Sequence, residues 1–147
     1  MMKTLYLIGG TMGVGKTTVC QLLKQDLPNS VFLDGDWCWD ASPFQVTDET
    51  KAMVMNNICY LLNNFLKCSA YDNIIFCWVM HEQSIIDFIL KNLDAQNCDV
   101  KCVSLVADEK TLFFSNPTHI NALKLWAQNS TIDRPNYRKI SHKKYIG

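Results

Sequence analysis

Apolar residues in this chain follow two rhythms. Leu5-Tyr6-Leu7-Ile8 is apolar at consecutive positions, a run a strand can bury only when both of its faces are covered. The segment after it keeps Val19, Leu22, Leu23 and Leu27 at helical spacing and stops at Pro28, where a helix loses its next backbone donor. The two patterns then recur. Val31-Phe32-Leu33 is a short β-type run, and Val54, Ile58, Leu61, Leu62 and Phe65 form one stripe of a helix over residues 48–67. Thr47 suits its N-cap, with Asp48 and Glu49 in the first turn where the helix dipole favours acids. Asn73 to Val79 reads as a third, doubly buried strand, Ile85, Ile86, Ile89, Leu90 and Leu93 as a third helix, and Val100 to Val106 as a fourth strand. Strands and helices alternating at this pace predict an α/β fold of three layers, a mainly parallel sheet of four or five strands with helices on both faces.

Beyond Asp108 the periodicity weakens. Asn116 as N-cap, Pro117 at the first helical position, and Ile120, Leu123 and Ala127 predict a last helix to about Gln128. Residues 129–147 are polar and basic, and Tyr137 to Ile140 is the one stretch there that suggests an added edge strand. A chain of 147 residues makes one domain, of which residues 108–147 form an atypical lid or tail.

The chemistry sits where the first strand meets the first helix, in Gly10-Thr11-Met12-Gly13-Val14-Gly15-Lys16-Thr17. Strand, glycine-rich turn and helix in that order are the context the phosphate-binding pattern G-x-x-x-x-G-K-[ST] requires. Polyphosphate needs many backbone N–H groups aimed at one point, and glycines let the chain bend tightly and approach the oxygens closely. The helix start adds unpaired N–H groups and partial positive charge. Lys16 supplies a full charge between the β- and γ-phosphates, and the Thr17 hydroxyl suits the magnesium that arrives with them. ATP with Mg2+ is therefore expected on Gly10 to Thr18, and the fold becomes a P-loop NTPase fold.

Asp34 and Asp36 stand at the carboxyl end of the second strand, where ligands bind in open parallel sheets. Phosphoryl transfer to a hydroxyl uses one carboxylate for magnesium and another to orient or deprotonate the acceptor. Asp34 is expected on the metal side with Thr17, and Asp36, with Lys16, in catalysis. The competing reading is an aspartate turn capped by Asp36. The hydrophobic-Asp ending of a Walker B strand is missing between Ile74 and Val79, which gives Asp34 added weight. Trp37, Trp78 and His81 follow the second and third strands and, with Asp36, are candidates to hold the acceptor by stacking and hydrogen bonding.

With the glycine loop and this acidic pair, the chain resembles the small-molecule P-loop kinases related to the nucleoside monophosphate kinases. Leu33-Asp34-Gly35-Asp36 is similar to the corresponding run in gluconate kinase and adenylylsulfate kinase and to the Asp-x-Asp of shikimate kinase; chloramphenicol phosphotransferase belongs to the same broad group. The resemblance covers about residues 3–107. It implies ATP and magnesium, phosphorylation of a small molecule or nucleotide, and a sheet with the second and third strands on one side of the first. It also implies an arginine-bearing lid after the fourth-strand region, and here the sequence departs: residues 107–133 contain no arginine. Arg134 and Arg138 serve either as a late lid or as part of an exposed tail. A non-catalytic, regulatory nucleotide-binding module is the alternative to a kinase.

Charge and cysteine usage refine this picture. Residues 1–110 carry eight lysines against thirteen acids, and residues 111–147 six basic residues against one acid. That basic end covers the nucleotide phosphates, lies across the body or meets nucleic acid; no basic-aromatic motif supports the last, so nucleic acid ranks lowest as a partner. The partners expected are nucleotide and a small acceptor, in a monomer or homodimer. The seven cysteines are odd in number, lack a C-x-x-C pair and fall mostly in apolar runs, which argues for buried free thiols; Cys38, near the acidic pair, is the candidate for reactivity. No apolar run approaches the ~18 residues of a membrane span, and the first strand is too short for a signal core. A cytoplasmic location is expected.

Overall fold

The computed structural model describes residues 2–10, 15–80, 82–106 and 144–146. Strands β1 (Lys3–Gly10), β2 (Ser30–Asp34), β3 (Asn73–Cys77), β4 (Cys98–Val106) and β5 (Lys144–Ile146) form a single sheet in the order β2-β3-β1-β4-β5. Every neighbouring pair is parallel. The second and third strands lie together on one side of the first, as the resemblance implies.

Three helices, α1 (Lys16–Asp26), α2 (Asp48–Lys67) and α3 (Gln83–Asn92), join these strands. α1 leads outward from β1 to β2, whereas α2 leads back from β2 to β3, so right-handed crossovers place them on opposite faces. α3 carries the chain on past β1 to β4 in the same sense as α2 and shares its face. The core divides accordingly. Leu5, Leu7, Ile74 and Phe76 meet Ile58 and Leu62 of α2 and Ile89 of α3 on one face; Tyr6, Ile8, Ile75 and Cys77 meet Cys20 and Leu23 of α1 on the other. Consecutive apolar residues in β1 and β3 are thus shared alternately between two cores. Leu62 is fully buried, and truncating such a leucine to alanine costs about 2–5 kcal/mol.

Both ends of α2 are closed by named contacts. Thr47 Oγ1 accepts from Thr50 N at 3.1 Å and Thr50 Oγ1 from Thr47 N at 2.8 Å, a capping box with threonine in place of the usual Glu or Gln. At the other end Lys3 Nζ donates to the carbonyls of Cys68 (2.7 Å) and Tyr71, putting a cation where the helix dipole is negative.

Several boundaries differ from the sequence reading, β4 for one beginning at Cys98 rather than Val100. β3 ends at Cys77 rather than Val79, which leaves Trp78 and Val79 beyond the strand and at the rim of the sheet. The fifth strand is Lys144–Ile146, paired with Ser104 to Val106 of β4; three residues in a basic stretch carry no apolar run to announce them. Tyr137 to Ile140 and the helix expected from Asn116 to Gln128 lie outside the described residues. Among the described residues no helix is long and apolar enough to cross a membrane. All seven cysteines are free thiols, and Cys20, Cys59, Cys77 and Cys102 are buried.

Candidate active site

β1, β2 and β3 finish at one rim. Their register sets Ile8 beside Cys77 and Cys77 beside Asp34, so the chain leaving β1 at Gly10 and the chain leaving β2 at Asp34 emerge on the same side of the sheet. Thr11, Met12, Gly13 and Val14 lie outside the described residues. Gly15 closes the turn as the N-cap of α1 with φ 90° and ψ 26°, a left-handed conformation that a side chain strains. Lys16 Nζ donates to the Gly10 carbonyl at 2.8 Å, tying the helix start to the end of β1. The first turn of α1, which includes Thr18, holds no acid and no side-chain cap among the described residues, so its N–H groups and partial positive charge suit an anion.

Asp34 joins this turn to the second strand. It is 7% exposed, and both carboxylate oxygens are engaged: Oδ2 accepts from the Thr17 hydroxyl at 3.1 Å and Oδ1 from the Asp36 backbone N–H at 2.9 Å. Those bonds meet the cost of burying a carboxylate. The second also makes Asp34 the N-cap of a short 3₁₀ turn, Gly35–Cys38. An aspartate turn is therefore present, with Asp34 as its cap in place of Asp36, and the capping role coexists with the contact to Thr17.

The Thr17 and Asp34 oxygens fit a magnesium ion. Two ligands on adjacent corners of an octahedron with bonds of 2.0–2.1 Å stand about 2.9 Å apart, close to the 3.1 Å found between Thr17 Oγ1 and Asp34 Oδ2. Among the described residues there is no cluster of three or more His, Cys, Asp or Glu side chains able to hold a metal. Magnesium commonly binds through one or two protein oxygens, with phosphates and water supplying the rest.

Asp36 is exposed and faces a cavity of about 490 Å³ between the sheet rim, α2 and α3. Trp78 forms part of its wall, with Val54 and Met55 from α2 and Ile85 and Phe88 from α3. Lys51, Glu82 and Ser84 are polar members of the lining. Trp78 lies against Gly35: a Cβ on that glycine would stand 2.5 Å from Trp78 Cγ. Glycine at position 35 thus lets the indole rest on the end of β2 while the aspartates on either side reach Thr17 and the cavity.

The other candidates fall differently. Trp37 is 57% exposed and packs edge-on against Phe32 with ring centroids 5.2 Å apart, on the α1 side of the sheet and apart from the cavity. His81 lies outside the described residues. Cys38 is half-buried, and its thiol is pushed up from the ordinary cysteine range by burial and by the nearby charge of Asp34; both disfavour the thiolate, against the reactivity expected from its position. Lys51, Met55, Ser84 and Phe88 were not legible as cavity residues in the sequence. The available signal was the i, i+3, i+4 spacing of Lys51, Val54 and Met55, which places a lysine beside a helix's apolar stripe.

The family model described as AAA domain matches residues 7–113, and the chain belongs to that family. No curated protein sequence matches it. Among solved structures it is similar to a gluconokinase from Sinorhizobium meliloti 1021, with a TM-score of 0.55 and 14% identity over 99% of this chain and 82% of that one. It is similar also to the tunicamycin resistance protein of Deinococcus radiodurans, TM-score 0.57 and 15% identity over 95% and 91%. The Mycobacterium tuberculosis APS kinase in complex with AMPPNP and APS gives a TM-score of 0.58 and 12% identity over 88% and 77%. These likenesses establish the small-molecule P-loop kinase fold.

Proposed function

We propose that this protein is an ATP-dependent kinase of a small molecule or nucleotide. The observation that carries the reading is the split use of one short segment: Asp34 bonds to Thr17 at the glycine turn, and Asp36, two residues on, lines the cavity. ATP occupies Gly10 to Thr18, with Lys16 on its phosphates. Thr17 and Asp34 hold magnesium, which when bound neutralises charge on the phosphates. The acceptor lies in the cavity with its reacting oxygen at Asp36, which orients it and takes its proton as that oxygen bonds to the γ-phosphorus and the bond from the γ-phosphorus to the β,γ-bridging oxygen breaks, with ADP as the leaving group. The rate gain comes mainly from positioning and from charge stabilisation by Lys16 and the helix N-terminus. A cytoplasmic location suits these substrates. The complex of a structurally similar APS kinase with both AMPPNP and APS supports this reading.

A second reading, a regulatory nucleotide-binding module, is favoured by the arginine-free stretch 107–133. ATP consumption with and without a panel of small hydroxylated compounds, nucleosides and nucleoside monophosphates separates the two. Acceptor-stimulated ADP release supports the kinase; tight nucleotide binding without it supports the module.

A further inference from the structure

We infer that the acceptor is a nucleoside-sized, ring-bearing alcohol that carries neither phosphate nor carboxylate, an inference that rests on the kinase reading above. Three features of the cavity carry it. A volume of about 490 Å³ lies within the range of sites that enclose a whole small organic ligand.

The walls are mainly apolar. Trp78, Phe88, Ile85 and Met55 present flat or hydrocarbon surface, and the indole is backed by Gly35 at a distance that leaves no room for a Cβ. A linear polyol places a hydroxyl on every carbon, and each one buried against such a wall without a partner is penalised. A ring offers a face to Trp78 and Phe88 and confines its polar atoms to the edge.

The charge balance disfavours an anion. Among the described lining residues Asp36 and Glu82 outnumber Lys51. Ser84 Oγ donates to Glu82 Oε2 at 3.3 Å, which restrains that carboxylate in the cavity lining. Among the described lining residues, a phosphate or carboxylate placed there meets two carboxylates and one lysine; a neutral or cationic ring meets acceptors.

The test uses the full chain with ATP and magnesium, and reads ADP release with uncharged nucleosides, the corresponding nucleoside 5′-monophosphates, and gluconate. Stimulation at least tenfold greater by a nucleoside than by its monophosphate or gluconate is expected, and Phe88→Ala should raise the KM for that nucleoside about tenfold. Stimulation by the monophosphates or gluconate and not by nucleosides overturns the inference and leaves the kinase reading standing. If no compound stimulates turnover, fluorescence titration with nucleosides at saturating non-hydrolysable ATP analogue decides. Quenching that disappears in Trp78→Phe upholds the cavity's preference while the kinase reading fails; no nucleoside binding overturns the inference.

Discussion

Gly35 lies so close beneath Trp78 that a Cβ at position 35 would stand 2.5 Å from the indole's Cγ. The contact is to the ring and to Trp78 Cβ, the stiff part of the side chain, so the indole has to move to admit a methyl group. Gly35→Ala should therefore destabilise the protein by about 1–3 kcal/mol, the usual cost of overpacking, as read by denaturant unfolding. Because Trp78 also lines the cavity, the variant should lose acceptor affinity more than nucleotide affinity. Unchanged stability and unchanged acceptor KM would show that the indole is not held there.

The Thr17–Asp34 bond makes nucleotide affinity separable into two parts. Asp34→Asn keeps an oxygen for the Asp36 N–H and a group able to bond Thr17, so the 3₁₀ turn survives while the charge is lost. Its ATP affinity should fall tenfold or more in magnesium and little in EDTA. Lys16→Ala should weaken binding in both. Isothermal titration of each variant with and without magnesium is the check, and an Asp34→Asn curve identical to wild type in magnesium would remove the metal role.

Cys38 should be a slow nucleophile. Burial and the Asp34 charge raise its thiol above the ordinary range, and the thiolate is the reacting form. Alkylation followed by mass spectrometry in native buffer at pH 7.5 should modify Cys38 more slowly than a cysteine in an unfolded peptide. In Asp34→Asn its rate should rise, because one of the two causes has been taken away.

Tyr6 gives a pH dependence with a definite sign. Burial, reinforced by the charge of Asp99 and opposed by a hydrogen bond with Thr4, pushes its phenol from 10.0 up to about 12. In the unfolded chain the phenol ionises at its ordinary value, so the folded state holds a proton the unfolded state has released. The stabilisation is fully present below pH 10 and is lost as the pH rises from 10 through about 12. Unfolding free energy should fall over that window, and in Tyr6→Phe the fall should be shallower. Equal slopes would contradict the assignment.

The sequence was most legible where backbone chemistry is local. Gly15, Lys16 and Thr17 announce the turn and α1, and Thr47 with Asp48 marks the start of α2 at the residue where it begins. Trp37 and Trp78 illustrate what was not legible. Both follow a strand end, yet the 3₁₀ turn after Asp34 directs Trp37 to Phe32 on the α1 face, while Trp78 lies over Gly35 beside the cavity. Which face a residue takes just past a strand depends on turn geometry and on a neighbour more than forty positions away, and neither leaves a periodic trace. Lys51 and Phe88 were hidden for a related reason: on their own helices each reads as an ordinary flank of an amphipathic stripe, and only the packing of α2 and α3 on the sheet brings them to one cavity.

The most direct test of the account is Asp36→Asn, assayed for ATP binding and for acceptor-dependent ADP release side by side. Asp36 lines the cavity and bonds to Asp34 through its backbone N–H, so the substitution leaves the bond between Thr17 and Asp34 in place. ATP affinity within about twofold of wild type, with acceptor-dependent turnover reduced at least ~100-fold, is the predicted result for a lost general base. Full turnover in this variant would contradict the division of labour between the two aspartates.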